Sequence, residues 1–266
     1  MLGDVYDSHV HTPLCKHAVG EPEAYLEAAR ARGLAGIVFT DHGPMPRWYD
    51  PDSRMEAGAL PFYFATLERL REQNPDFYVG IGLEADYHPG TERYVKRVLA
   101  SYPFDYVIGS VHFIGAWGFD HPDYVEEFAW RELREIYRDY FKLVAEAAET
   151  GLFHAIGHLD LPKKFGHVPA EGYLDLAEDA LKAIAAAGLA LDVNTAGWRK
   201  PIGELYPSAA LLVRARELGI PVVLGSDAHA PDEVGHRFAE AKAVLKEAGY
   251  AEAVVFKAGK PESYPL

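Results

Sequence analysis

Histidine and carboxylate side chains recur in short clusters from one end of the chain to the other. The positions are His9, His11, His17, Asp41, His42, Glu84, His112, His158, Asp227 and His229, and they include seven of the 12 histidines. Neutral imidazole and carboxylate are donors that suit zinc, iron and manganese, and several dications need many such donors. In a strand, the His9-x-His11 spacing directs both rings to one side, because alternate residues share a face. The set predicts a centre for divalent metal ions.

A single histidine is more often a hydrogen-bonded surface or core residue than a metal ligand. That ordinary interpretation suits the five histidines without a ligand-like context, which are His88, His121, His154, His167 and His236. Cys15 lies between His11 and His17 and could approach the metals, although a small buried apolar role is commoner for a free cysteine. The other histidines differ because they follow separate predicted strands.

Short β-rich runs alternate with amphipathic stretches along the whole chain, which is typical of βα units around a parallel sheet. The strand candidates are 4–8, 36–40, 78–83, 106–110, 153–157, 190–194, 222–225 and, less clearly, 254–257. The helix candidates are 21–32, 60–72, 124–149, 173–187, 208–218 and 233–248. Seven or eight strands favour a closed barrel. Because parallel strands of a barrel end at one mouth, the ligand-type residues should line one cavity there.

Length and charge limit the function further. The 266 residues show no repeat or linker, so we expect a single domain over 1–266. A formal charge of −14 argues against nucleic acid and favours a small substrate. Residues 1–5 lack a secretory pattern, no apolar run could span a membrane, and Cys15 is the only cysteine, so we expect a cytoplasmic protein. The proline-containing segment 43–59, here called the excursion, should cross one barrel face. The oligomeric state stays open.

The clusters belong to longer motifs that follow one another in a fixed order. They are Asp7-Ser8-His9-Val10-His11-Thr12 with His17 downstream, Thr40-Asp41-His42, Gly82-Leu83-Glu84, Gly109-Ser110-Val111-His112, Ile156-Gly157-His158 and Gly225-Ser226-Asp227-Ala228-His229. In this order they resemble the polymerase and histidinol phosphatase (PHP) family. Residues 192–201 and 206–208 are similar to its histidinol-phosphate phosphatase branch. The resemblance implies an α/β fold, a distorted, TIM-like (β/α)7 barrel with metals at the carboxyl ends of the strands.

The resemblance also implies three divalent ions, which could be zinc, iron or manganese at each position. Their ligand sets would be His9, His11, Glu84 and Asp227; Glu84, His112 and His158; and His17, His42 and His229. Glu84 would bridge two ions. Three dications against two ligand carboxylates would leave a local charge of about +4, which would attract phosphate to an otherwise acidic protein.

The activity that the resemblance implies is the hydrolysis of L-histidinol phosphate to L-histidinol and phosphate, a step of histidine biosynthesis. We expect a metal-bridging hydroxide to attack phosphorus in line, and we count Glu84 and Asp227, two of the metal ligands, among the catalytic residues. Arg199 is the first candidate for binding the phosphoryl group, and Lys163 or Lys164 the second. Asp160 and Asp41 are candidates for protonating the leaving group or for orienting a metal-bound histidine.

Three alternatives remain open at this point. A 3′-5′ exonuclease or other phosphodiesterase of the same superfamily would share the metals but would need a basic groove. An amidohydrolase-like C–N hydrolase would also use His-x-His and a late aspartate, but His17, His42 and His112 favour three metals. A protein that only binds metal would not need an open coordination position.

Overall fold

Seven parallel strands form the central sheet of the computed structural model, which describes residues 3–266. The strands are β1 Tyr6–Val10, β2 Gly36–Phe39, β3 Tyr78–Asp86, β4 Tyr106–Ser110, β5 Ala155–Ile156, β6 Ala190–Asn194 and β7 Val222–Gly225. They pair in chain order, so each connection returns over the outside of the sheet. All seven were predicted; β3 runs three residues further than expected, and Glu84 therefore lies inside it.

The first and last strands of this sheet approach each other and nearly close it into a barrel. Val10 and Ala228 form an isolated parallel bridge just beyond β7. The backbone N–H of His11 donates to the Ala228 carbonyl at 3.0 Å, and that of Asp227 donates to the His9 carbonyl at 2.8 Å. The predicted TIM-like α/β barrel of seven strands is confirmed, and its closure brings two ligand motifs side by side.

Seven helices connect the strands. They are α1 Pro22–Ala31, α2 Leu60–Gln73, α3 Glu92–Leu99, α4 Leu133–Glu149, α5 Leu174–Ala187, α6 Ala209–Glu217 and α7 Phe238–Glu247. The predicted helix 124–149 begins only at Leu133, because Pro122–Trp130 forms a separate 3-10 segment that ends in extended backbone at Arg131. None of the helices in residues 3–266 combines the length and apolar character needed to cross a bilayer.

An antiparallel hairpin covers the end of the barrel at which the strands begin. Its strands are β8 Glu252–Lys257 and β9 Lys260–Pro265, and they form their own two-stranded sheet. The predicted eighth strand therefore belongs to this hairpin and not to the barrel. The Tyr78 hydroxyl donates to the Phe256 carbonyl at 3.0 Å, and the rings of Tyr6 and Tyr264 lie 5.3 Å apart. Because Tyr6 and Tyr78 begin β1 and β3, the hairpin packs against the amino ends of the strands.

The excursion leaves β2 at the opposite, carboxyl end of the barrel. It contains turns and one short 3-10 segment, Ala57–Ala59, before α2 begins. Two backbone hydrogen bonds hold it to the barrel: Gly43 N–H donates to the Glu84 carbonyl at 2.7 Å, and Met55 N–H donates to the His42 carbonyl at 3.2 Å. The predicted excursion thus begins and turns back beside two ligand-type residues.

Candidate metal centre

Glu84 lies at the centre of the histidine cluster. Its side chain is 1% exposed, and Oε2 faces three imidazoles. This oxygen is 3.0 Å from Nδ1 of His42, 3.4 Å from Nε2 of His9 and 3.6 Å from Nε2 of His11. His9 and His11 reach it from β1 and its carboxyl end because their side chains share one face of the strand.

The second oxygen of Glu84 faces the other side of the barrel mouth. Oε1 is 3.0 Å from Nε2 of His158 and 3.6 Å from Nε2 of His112, and it accepts a hydrogen bond of 2.6 Å from the Ser110 hydroxyl. Glu84 therefore divides its two oxygens between two groups of histidines. This is the geometry expected of a carboxylate that bridges two cations.

A third group lies beside the first. The donor atoms of His17, His42 and His229 all lie within 4.8 Å of one another, as they do for His9, His11 and Glu84 and for His42, Glu84 and His112. Asp227 joins the groups, because its Oδ1 is 3.0 Å from Nε2 of His11. All nine predicted ligands thus meet at one mouth, contributed by stretches of chain as distant as His9 and His229.

Several of these imidazoles end in buried nitrogens that make no well-aligned hydrogen bond within residues 3–266, although two of them lie 3.0 Å from a carboxylate oxygen. They are Nε2 of His9, His11 and His229 and Nδ1 of His42. Buried polar atoms in proteins are almost always hydrogen bonded. Here the unpartnered nitrogens face each other and ionisable carboxylates, a donor set that suits dications of the zinc, iron and manganese type. The residues present therefore fit a metal centre.

Four of the seven candidate ligand histidines have an oxygen atom in hydrogen-bond contact with Nδ1. The pairs are His9 Nδ1 with Asp192 Oδ2 at 2.8 Å, His112 Nδ1 with Asp86 Oδ2 at 2.9 Å, His17 Nδ1 with the Cys15 carbonyl at 3.0 Å, and His229 Nδ1 with the Asp227 carbonyl at 3.0 Å. Such contacts fix the tautomer and leave Nε2 free for a metal. Asp86 and Asp192 were not identified from the sequence, although Asp86 shares a strand face with Glu84.

Burial and charge act in opposite directions on these side chains. Burial lowers the pKa of His42 to about 4, although the Glu84 carboxylate opposes it. Burial would also lower the pKa of His112, but Asp86 raises it to about 9. Burial would raise the pKa of Glu84, yet the charges of His42 and His9 hold it well below its usual value. The lowered pKa favours the ionised form of the Glu84 carboxylate, which positive charge nearby stabilises.

A cavity of about 300 Å³ opens directly over the cluster. Its lining includes His17, His42, Glu84, His112, Asp120, His158, Lys164, Arg199, Lys200, Tyr206, Asp227, His229 and Glu233. Arg199 is held by the carbonyls of Ser226 and Asp227, each 3.0 Å from Nη2, while its Nε lies 3.1 Å from Glu233. Lys164 donates to the Asp120 carbonyl at 2.6 Å. Two of the predicted phosphate-binding cations, Arg199 and Lys164, therefore line this cavity.

The other two predicted residues, Lys163 and Asp160, form an internal ion pair instead. Lys163 Nζ lies 2.9 Å from Asp160 Oδ2, and both side chains are fully buried. Lys163 also donates to the Leu205 carbonyl at 2.8 Å, and Asp160 Oδ2 accepts from the Tyr173 hydroxyl and the Ser208 N–H. Neither residue is among those that line the cavity in the described part of the chain, because both side chains are fully buried beneath it. Asp41 is similarly enclosed, accepting from the Thr12 hydroxyl.

Two ligand-type residues have positive φ angles, which residues other than glycine rarely adopt. His158 has φ 23° and Asp227 has φ 53°. Non-glycine residues at positive φ are uncommon and store strain, which surrounding structure must hold. The loops after β5 and β7 thus give up stability to direct these two side chains toward the mouth.

The comparison with known proteins agrees with this geometry. The profile of the PHP domain family matches residues 7–196, and that of the PHP-associated family matches residues 213–243. A probable histidinol-phosphatase of Deinococcus radiodurans is 55% identical over 244 residues, which cover 91% of this chain and 93% of that protein. The histidinol-phosphatase of Bacillus subtilis is 32% identical over 258 residues, covering 87% and 96%.

A solved structure is also similar along almost the whole chain. The histidinol phosphate phosphatase of Lactococcus lactis, crystallised with zinc, L-histidinol and phosphate, superposes with a TM-score of 0.83 and 25% identity, covering 97% of this chain and 99% of its own. The superposition therefore covers the barrel along almost its whole length. The chain belongs to the PHP domain family.

Proposed function

We propose that this protein hydrolyses L-histidinol phosphate to L-histidinol and phosphate with the help of three divalent ions. The observation that carries the proposal is the set of buried, unpartnered imidazole nitrogens around Glu84, beneath a cavity that also contains Arg199. The histidinol-phosphatase relatives, at up to 55% identity in Deinococcus radiodurans, support the choice of substrate. Zinc, the ion of the Lactococcus lactis complex, supports the choice of metal, with iron and manganese as the other candidates.

Short distances between donor atoms support the three ligand sets that the family resemblance implies. His9, His11, Glu84 and Asp227 would hold one ion, Glu84, His112 and His158 a second, and His17, His42 and His229 the third. When bound, such ions supply positive charge for the phosphoryl oxygens and bring the pKa of water near neutrality. Glu84 would hold two ions at a fixed separation because its two oxygens face different groups.

The protein's own cations complete the site. Two backbone carbonyls hold Nη2 of Arg199, while its Nε and Nη1 are buried without a hydrogen-bond partner in the part of the chain described. A planar fork of donors suits two phosphoryl oxygens, and charge stabilisation there would favour the transition state. Lys164, at the same cavity, would add a second positive charge. Lys163 cannot reach the cavity while it is paired with Asp160.

Asp160 would act by position and not as a proton donor. Its Oδ2 ties Ser208 and Tyr173 to the loop that follows His158, so it supports the cavity wall next to Tyr206. A proton donor must reach the leaving oxygen directly or through one water. Asp120 and Glu233 line the cavity and are better placed to reach the leaving oxygen than Asp160, which does not line it.

The other predictions from the sequence are kept as parts of this proposal. A charge of −14 supports a small phosphomonoester substrate and not nucleic acid or a membrane surface. The single cysteine, Cys15, supports a cytoplasmic location. The whole chain, 1–266, would act as one domain, because the barrel and its hairpin share one core.

One assay tests the activity. The purified protein, stripped with a chelator and then given zinc or manganese, is offered L-histidinol phosphate, an aryl phosphate, a phosphodiester and single-stranded DNA. We expect phosphate release from histidinol phosphate, none after stripping, and recovery with metal. Elemental analysis of the untreated protein should find up to three transition-metal ions per chain. Hydrolysis of only the diester or the DNA would overturn the monoesterase proposal.

A further inference from the structure

Asp86 connects a metal-ligand histidine to a buried arginine. It lies two residues beyond Glu84 on β3 and is fully buried. Its Oδ2 lies 2.9 Å from Nδ1 of His112 and 2.6 Å from Nη2 of Arg54, and its Oδ1 accepts from Nη1 of Arg54 at 2.8 Å. One carboxylate thus orients the His112 ring and holds a bidentate guanidinium.

The arginine belongs to the excursion. Arg54 is only 3% exposed, and its guanidinium lies 4.7 Å from the centre of the Tyr49 ring. Tyr49, also in the excursion, donates its hydroxyl to the same Asp86 oxygen as His112. Asp50 faces Arg54 Nε at 3.6 Å. Burial alone would raise the pKa of Asp86, but Arg54 and His112 hold it below its usual range.

The excursion held in this way is a wall of a second space, beside the cavity over the cluster. A space of about 270 Å³ is bounded on one side by Asp50, Ser53 and Arg54 and on the other by ligand histidines, including His42 and His112. Loss of the Asp86 contacts would therefore release the orientation of the His112 ring and the position of this wall at the same time. A buried carboxylate and guanidinium without each other are costly, so the two partners should be seated or displaced as a unit.

We propose that Asp86 and Arg54 are positioning residues that couple the seating of the excursion to metal binding at His112. His112 would hold the metal through Nε2 while its Nδ1 stays on Asp86, and Asp86 in turn holds Arg54 and the excursion in place. The inference rests on the metal centre of the proposed function, but it does not depend on which phosphate ester is hydrolysed.

The first test measures metal binding to Arg54→Met, Arg54→Lys and Asp86→Asn by competition with a chromogenic zinc chelator. Contacts of this kind change metal affinity by about 10- to 100-fold, and we expect a loss of that size at the weakest site in Arg54→Met and Asp86→Asn, with partial rescue in Arg54→Lys. Arg71→Met is the matched control, because Arg71 pairs with Asp105 at the other end of the barrel. Its zinc affinity should equal that of the wild type.

The second test follows backbone hydrogen exchange in peptides that cover 43–59, with zinc and after chelation. Chelation should speed exchange there in the wild type and in Arg71→Met, while in Arg54→Met exchange should be fast in both states. Circular dichroism identifies a variant that fails to fold, in which case Tyr49→Phe, which keeps the ion pair, is expected to show a smaller change of the same sign. Wild-type zinc affinity in folded Arg54→Met, or exchange in 43–59 that ignores chelation, would overturn the proposal. Absence of histidinol phosphate hydrolysis with both results intact would instead reject only the substrate.

Discussion

The two ends of the barrel contain the same types of side chain in different roles. At the carboxyl end, the rings of His9, His11 and His229 leave buried nitrogens without a hydrogen bond to any residue of 3–266. At the amino end, His154 stacks on Phe256 at 5.1 Å, and its Nδ1 accepts a hydrogen bond of 3.0 Å from the backbone N–H of Val107. Both ends also contain an aspartate paired with an arginine. The state of the imidazole nitrogens, and not the residue type, therefore distinguishes a ligand from a structural histidine.

The strongest test of this comparison removes one histidine from each end. His9→Ala deletes a ligand for which no other side chain substitutes. Loss of metal charge worth several kcal/mol corresponds to at least about a 1,000-fold fall in kcat/KM for histidinol phosphate. His154→Ala should keep kcat/KM within about threefold, because no donor at the mouth changes.

The two variants should show the reverse order in stability. His154→Ala leaves the Val107 N–H unpaired in the core, which costs about 1 to 3 kcal/mol in the free energy of urea unfolding. His9→Ala, compared with the wild type after chelation of both, should lose less. Equal kcat/KM for His9→Ala and the wild type would remove the ligand cluster from the mechanism.

A smaller effect is expected from the carboxylate that faces His9. In Asp192→Asn the partner of His9 Nδ1 becomes neutral, so the ring is a weaker donor at Nε2. We expect zinc affinity to fall by about 10- to 100-fold. Asp76→Asn is the control, because it removes the same charge from an exposed pair with Arg30. Zinc titrations that cannot tell Asp192→Asn from Asp76→Asn would show that the contact does not tune the metal.

The smallest effect concerns the arginine at the amino end. Arg71 is 41% exposed; it donates to the Val79 carbonyl at 2.8 Å and contacts Asp105. Because solvent screens such a pair, Arg71→Met should cost only about 1 kcal/mol in urea unfolding and should leave kcat unchanged. A loss of bound metal in this variant would mean that the two ends of the barrel are not independent.

Local signals in the sequence predicted most of the barrel. Short β-rich runs between amphipathic stretches indicated all seven strands. The histidine and carboxylate motifs at the ends of these strands predicted where the mouth of the barrel lies. The helix α3 was missed because it has only eight residues, although Tyr94, Val95, Val98 and Leu99 recur in it at helical spacing. The run 254–257 has the composition of a strand, but which sheet it joins depends on its pairing with 260–265 and on packing against β1 and β3.

The site shows the same division between local and distant information. The meeting of the candidate ligands at one mouth could be predicted, because these histidines and carboxylates follow the ends of separate predicted strands. The contacts of Asp86 with Arg54 and of Asp160 with Lys163 could not, since the choice of partner depends on how loops fold over the barrel. The two adjacent lysines are alike in sequence, yet Lys163 is fully buried and Lys164 lines the cavity.

The positive φ angles of His158 and Asp227 set a limit on engineering this protein for heat resistance. Glycine adopts such backbone angles without penalty, so a search for stabilising substitutions would favour it at both positions. Each gain would delete a side chain of the proposed metal centre. Screens that select only for melting temperature would therefore drift toward robust but inactive barrels, unless turnover is scored in the same round.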